Sequence, residues 1–242
     1  MTGQIQVRKY ATDDNSVTGQ HAGTALEGAV FEISQARSGS VVGYIVTDAR
    51  GVAASGPLPL GRYYVTEVSA PKYYQLSGEK MEAEIEYPNQ IIKLSSYNKP
   101  AKLGVTIKKT GNYEVQPGQS MSYHFSGIAN TSNVSLSNFY WRDTLPAQVR
   151  LDTVVTGTYN RPGTYKIVYR VNGGGHRTLA DNLSTQKNYT LAASATALKL
   201  ASNERVTEIM FVFGQAPAGF AQVEKPYLHC KAVTGLSAGS FV

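Results

Sequence analysis

Short runs of alternating apolar and polar residues dominate this chain, and little of it repeats with the 3.6-residue period of a helix. In Ile5-Gln6-Val7-Arg8-Lys9, strand alternation points Lys9 to the same face as Ile5 and Val7. Tyr63, Val65 and Glu67 alternate inward together, and Ile92, Leu94, Ser96 and Asn98 share one parity just before Lys99-Pro100 ends the strand. Three inward strand positions therefore carry an amine, a carboxylic acid and a carboxamide. A buried lysine needs a compensating partner, so these three positions are the first candidates for chemistry.

The pattern restarts after Pro100. Val105, Ile107 and Lys109 share one parity, then Met121, Tyr123 and Phe125 alternate inward after the turn Pro117-Gly118. Phe139 to Pro146 reads as a further strand, Tyr165 to Val171 alternates cleanly, and Ile209 to Phe213 is a strong strand. Gly173-Gly174-Gly175 predicts a hairpin loop; no helix start follows His176, so it is not a phosphate cradle. Ala192 to Asn203 predicts a short helix. The fold class is all-β: two tandem β-sandwich domains, residues 1–100 and 101–242, each long enough for its own core.

Composition agrees, being rich in Tyr, Val, Thr, Ser and Gly. Charge divides unevenly. Residues 1–100 carry 9 Lys and Arg against 10 Asp and Glu, and residues 101–242 carry 14 against 7. The second half is the basic one, but its charges are dispersed and lack the stacking aromatics of a nucleic-acid motif, so no nucleic-acid partner is expected. The single cysteine, Cys230, lies in a strand pattern and reads as a buried, inert thiol. His21, His124, His176 and His229 have no metal-ligand spacing, and no Ser/His/Asp arrangement emerges, so neither a metal, a cofactor nor a conventional enzyme is expected. The sequons at Asn130, Asn133, Asn182 and Asn188 are what a Ser/Thr/Asn-rich chain contains by chance. No segment has the roughly 18–20 apolar residues of a membrane span, and neither a signal peptide nor a sorting signal is legible. Together with the abrupt ending Ser240-Phe241-Val242, this reads as an excised piece of a larger protein.

The first half resembles the Cna B-type, prealbumin-like domains of Gram-positive surface adhesins and pilins. The residues that carry the resemblance are the first-strand Lys9, Leu26 to Ile33, Thr47-Asp48 with Gly51, and Leu58 to Tyr63. The segment Tyr63 to Tyr74 is similar to the pilin E-box YxLxETxAPxGY, with Val68 for Thr and Tyr73 where the family has Gly. The resemblance implies an intramolecular isopeptide bond between Lys9 and Asn98, with Glu67 assisting. Burial lowers a lysine's pKa by up to roughly 3–5 units, so a neutral Lys9 attacks the carboxamide carbon of Asn98. A protonated Glu67 then hydrogen-bonds the carboxamide oxygen and relays protons to the departing ammonia. Well-oriented groups reach effective molarities of about 10⁵–10⁸ M, so no external enzyme is needed. The alternative from the residues alone is a plain Lys9–Glu67 salt bridge with Asn98 as a turn residue.

The second half resembles, over its first fifty or so residues, a Cna A-like or DUF11-like sandwich with the pattern KT…PGxxxxY…N…DTLP. That resemblance assigns Lys109 as a second cross-link lysine and Asp143 as its assisting acid. The matching asparagine is missing, since Tyr227 to Val242 contains none; the alternative is a simple Lys109–Asp143 ion pair. The function implied is a structural stalk of a Gram-positive adhesin or accessory pilin at the cell wall, with neighbouring domains of the same surface protein as partners. Tyr87-Pro88-Asn89 lacks the lysine of a polymerising pilin motif. The competing reading is a ligand-binding adhesin region whose basic second domain contacts host extracellular matrix or glycans, which a steep loss of binding with added salt would mark.

Overall fold

The computed structural model describes residues 1–112 and 114–235; the ending Ser240-Phe241-Val242 lies outside the described residues. The chain divides into two compact units, Met1–Lys102 and Leu103–Val242. Both are β-sandwiches, and among the described residues there is no helix.

The strands of the first unit are β1 (Thr2–Ala11), β2 (Val30–Gln35), β3 (Val41–Val46), β4 (Val52–Ala54), β5 (Leu58–Pro59), β6 (Gly61–Ser69), β7 (Lys80–Ile85) and β8 (Ile91–Asn98). One sheet centres on β1. The short strands β4 and β5 pair antiparallel along one side of it, and β8 runs parallel along the other, from Gln4↔Ile91 to Ala11↔Asn98. First and last strands are thus neighbours. The facing sheet has the order β3-β2-β6-β7, all antiparallel. Ile5 and Val7 of β1 meet Phe31 and Ile33 of β2 and Val65 of β6 in one core cluster, as the alternation requires.

The second unit comprises β9 (Val105–Thr110), β10 (Ser120–Asn130), β11 (Leu136–Thr144), β12 (Val149–Val155), β13 (Thr164–Val171), β14 (His176–Ser184), β15 (Thr190–Ala192), β16 (Val206–Ala216) and β17 (Tyr227–Ala232). Its sheets have the orders β15-β12-β17-β10-β9 and β11-β16-β13-β14. Aromatic rings fill the space between them. Trp141 stacks on Phe211 at 4.0 Å between centroids and lies 4.7 Å from Phe125. Cys230 is buried in this core, and the glycine run joins the β13–β14 hairpin.

One expectation is corrected. Ala192 to Asn203 forms no helix, because its single turn closes at once. Lys199 sits at φ 53°, its amide bonds back to Thr196 and the Leu200 amide bonds to Ala195, which together make a left-handed C-terminal cap. Val105 and Ile107, which share a parity with Lys109, are 63% and 49% exposed. Strand β9 is an edge that pairs only with β10 among the described residues, so alternation there does not translate into burial.

Candidate functional site

Lys9, Glu67 and Asn98 come together in the core of the first unit, at 0%, 3% and 1% exposure. Lys9 and Asn98 project inward from the parallel neighbours β1 and β8, where Lys9 is level with Ser96 and Asn98 is level with Ala11. Glu67 reaches them from β6 in the facing sheet. It sits at a bulge, where Val30 pairs with Ser69 and Phe31 with Glu67, leaving Val68 unpaired; such bulges re-aim a side chain beside functional sites.

The carboxylate of Glu67 bridges the two nitrogens. Its Oε1 lies 3.0 Å from Lys9 Nζ, and its Oε2 accepts a 2.8 Å hydrogen bond from Asn98 Nδ2. Oε2 also accepts the backbone N–H of Ser77 at 2.7 Å. Asn98 Nδ2 donates a second bond, 2.7 Å, to the main-chain carbonyl of Gln75. Lys9 Nζ donates to Ser96 Oγ at 2.7 Å and lies 5.3 Å from the centre of the Phe31 ring. Burial pulls the Lys9 pKa below the ordinary value of 10.5, against the opposing pull of Glu67. The neutral amine is therefore easier to reach here than on the surface.

One detail differs from expectation. Glu67 faces the carboxamide nitrogen rather than its oxygen, because an amide turned the other way would set its oxygen against the Gln75 carbonyl. Asn98 Oδ1 is buried without a hydrogen-bond partner. The consequence favours the chemistry: the group that would leave as ammonia is the one addressed to the carboxylate. Sequence reasoning placed Ser96 on the inward face but gave it no role. The Gln75 carbonyl and Ser77 amide left no signal at all, since backbone groups are supplied by chain path. That path turns at Tyr73, at φ 67°, a conformation that favours glycine and explains the glycine usual in the E-box.

In the second unit Lys109 and Asp143 also meet, with Nζ 2.8 and 2.9 Å from the two carboxylate oxygens. Lys109 lies 3.8 Å above the Tyr123 ring, and burial raises the Asp143 pKa despite the lysine. The lysine side chain is 36% exposed and the aspartate 9%, and no carboxamide is bonded to either among the described residues.

Residues 6–100 match the SpaA prealbumin-like fold domain. The first unit is a prealbumin-like domain. No curated protein matches the chain. Among solved structures, the chain is similar to the major pilin subunit BcpA of Bacillus cereus, at 17% identity over 99% of this chain and 61% of that one, TM-score 0.35. It is also similar to the full-length major pilin SpaD from Corynebacterium diphtheriae, at 13% identity over 96% and 56%, TM-score 0.34. For the RrgB pilus protein from Streptococcus pneumoniae the figures are 13%, 88% and 45%, with TM-score 0.36. The chain spans 61% of the length of the first of these. The site just described lies wholly within the prealbumin-like domain.

Proposed function

We propose that the prealbumin-like domain closes itself with an amide bond between Lys9 and Asn98, and that the chain is a load-bearing segment of a Gram-positive surface adhesin or pilin. The observation that carries this is the Glu67 carboxylate, within 3.0 Å of the attacking nitrogen and 2.8 Å of the leaving one. Glu67 takes a proton from Lys9 Nζ through Oε1, and the neutral amine attacks Asn98 Cγ. A new Nζ–Cγ bond forms as the Cγ–Nδ2 bond breaks. The carboxyl group turns about its soft terminal torsion and delivers the proton to Nδ2, which departs as ammonia; the regenerated carboxylate takes the second proton that Nζ loses on becoming an amide nitrogen and passes it to the ammonia. Starting from the ammonium form, the products balance as one secondary amide and one ammonium ion. Each chain reacts once, so the protein is a product of its own chemistry and not an enzyme with turnover.

Folding supplies the orientation, and burial supplies both the neutral amine and the exclusion of competing water. The mechanical role follows from topology. The bond would join the first strand to the last, so tension applied across the domain would pass through it and leave the intervening sandwich unloaded. Intact-mass measurement tests the reading: the purified chain should be lighter than its sequence by one ammonia, and the Glu67→Ala chain should keep full mass. An unmodified wild-type mass on folded protein overturns it.

A further inference from the structure

Lys9 Nζ donates a hydrogen bond to Ser96 Oγ, 2.7 Å away in its own sheet, and forms an ion pair with Glu67 Oε1, 3.0 Å away from the opposite one. A neutral amine has two N–H bonds and one lone pair, arranged tetrahedrally. A hydroxyl that holds one N–H bond takes that direction away from the lone pair and limits it to the others. The ion pair with Glu67 alone, whose Oε1 accepts no hydrogen bond, would leave the amine free to rotate about its Cε–Nζ bond, spreading the lone pair over a cone. Ser96 is 1% exposed and is the register partner of Lys9 across β1 and β8. Its hydroxyl is therefore held by the same ladder that brings Asn98, two residues further along β8, to the site.

We propose that Ser96 is a positioning residue for amide formation, aiming the Lys9 lone pair by accepting one of its N–H bonds. This rests on the cross-link reading above. Ser96 has a second, opposing effect: as an acceptor it also stabilises the ammonium form. The charged groups that face Lys9 are Glu67 and, more weakly, Glu79, and both favour the ammonium against the burial that disfavours it. Removing the hydroxyl should thus make deprotonation easier and attack slower, a combination that lost packing does not produce.

The test uses the full chain, synthesised in a cell-free system, with translation arrested and samples shifted to pH values from about 5 to 9 before intact masses are followed in time. Four chains are compared: wild type, Ser96→Ala, Ser96→Thr and Ser96→Val, the last two alike in shape and differing in the hydroxyl. Expected are a plateau rate of ammonia loss at least roughly 10-fold lower in the Ala and Val chains, since a hydrogen bond to a charged group is worth about 1.5–3 kcal/mol. Their pH midpoint should move to lower pH, and Thr should restore both rate and midpoint. Circular dichroism confirms folding of each, and the Thr–Val pair carries the test if Ala does not fold. Wild type that loses ammonia beside a folded Val chain with unchanged rate and midpoint overturns the role of Ser96 alone. A faster Val chain also overturns it, showing that the hydroxyl masks the lone pair. Wild type that keeps its full mass overturns the cross-link and this role together.

Discussion

The two units each set a lysine of the first strand against a carboxylate of the facing sheet, and what differs is what surrounds the pair. In the prealbumin-like domain β8 lies along β1, the ion pair is sealed at 0% and 1% side-chain exposure, and a carboxamide shares the carboxylate. In the second unit β9 pairs only with β10 among the described residues, and the lysine keeps 36% of its side-chain surface. Lysine and acid alone thus make an ion pair; a flanking strand that adds burial and a carboxamide gives the arrangement on which the proposed amide bond rests. Taking an ion from water costs several kcal/mol and is recovered only with excellent geometry. That cost is what lowers the barrier to a neutral amine in the first unit, and the second unit largely avoids it.

The largest effect expected from breaking this contrast is mechanical. With Lys9 joined to Asn98, the 88 residues from Tyr10 to Tyr97 are withheld from extension, roughly 300 Å at about 3.3–3.6 Å per residue. Pulled end to end in a single-molecule experiment, the wild-type chain should show only the second unit lengthening. The Lys9→Ala chain should add a step of roughly 300 Å and lose about 4–5 kcal/mol of domain stability, if the loop-entropy relation for disulfides carries over. An additional step of that size in the wild type would refute the clamp. The same contrast predicts a mass lower by one ammonia, and a loss of two would place a second bond in the second unit.

Replacing the acid while keeping its shape comes next. Glu67→Gln should leave the chain at full mass and cost the uncross-linked domain about 3–5 kcal/mol at neutral pH, because the buried Lys9 ammonium loses its partner. Asp143→Asn should cost about 1 kcal/mol or less, because Lys109 keeps water. Thermal melting of the two variants compares them directly, and equal losses would mean that burial does not distinguish the sites.

How far the sequence revealed these sites follows from the same physics. Strand parity was enough to bring Lys9, Glu67 and Asn98 to one point, because β1, β6 and β8 are covered on the face that parity selects. At Val105 and Ile107 it is silent about burial, because parity says which residues share a face and not whether anything covers that face. The orientation of Asn98 was beyond reach for another reason. It is set by the carbonyl of Gln75, and a backbone group has no residue identity to read. The turn at Ala192 to Asn203 shows a third limit, since its left-handed cap falls on Lys199, a residue that gives no sign of it.

Alkaline pH should separate the units by the sign of their response. In the Asn98→Ala chain, where no bond can form, the folded domain holds Lys9 below its ordinary 10.5 through burial. The unfolded chain then binds the extra proton in the interval below 10.5, so stability rises with pH across it. The second unit does the reverse. Burial pushes Cys230 from 9.0, and Tyr123 and Tyr165 from 10.0, up to about 12. Its folded state holds the extra protons, so stability falls as pH climbs from about 9 toward 12, by at most about 1.4 kcal/mol per pH unit for each group. Trp141, the single tryptophan, reports on the second unit by fluorescence. Its transition should move to lower denaturant concentration between pH 9 and 11, and a fixed midpoint would remove buried acids as the cause.

The smallest effect expected is also the sharpest test of what the second pair is for. Replacing Lys109 and Asp143 together, as Lys109→Met with Asp143→Leu, removes both charges and keeps comparable volume, and such exchanges are often neutral or stabilising. Stability of the second unit should change by about 1 kcal/mol or less. Lys109→Met alone should cost more at pH 7 than at pH 5. It strands a carboxylate whose pKa is already raised by burial, and protonation relieves that penalty as the pH falls. The paired exchange of Lys9 and Glu67 has no such escape, since it deletes the covalent bond along with the charges. A loss above about 3 kcal/mol from the double exchange in the second unit would mean that Lys109 and Asp143 also hold something more than each other, and the contrast between the two units would collapse.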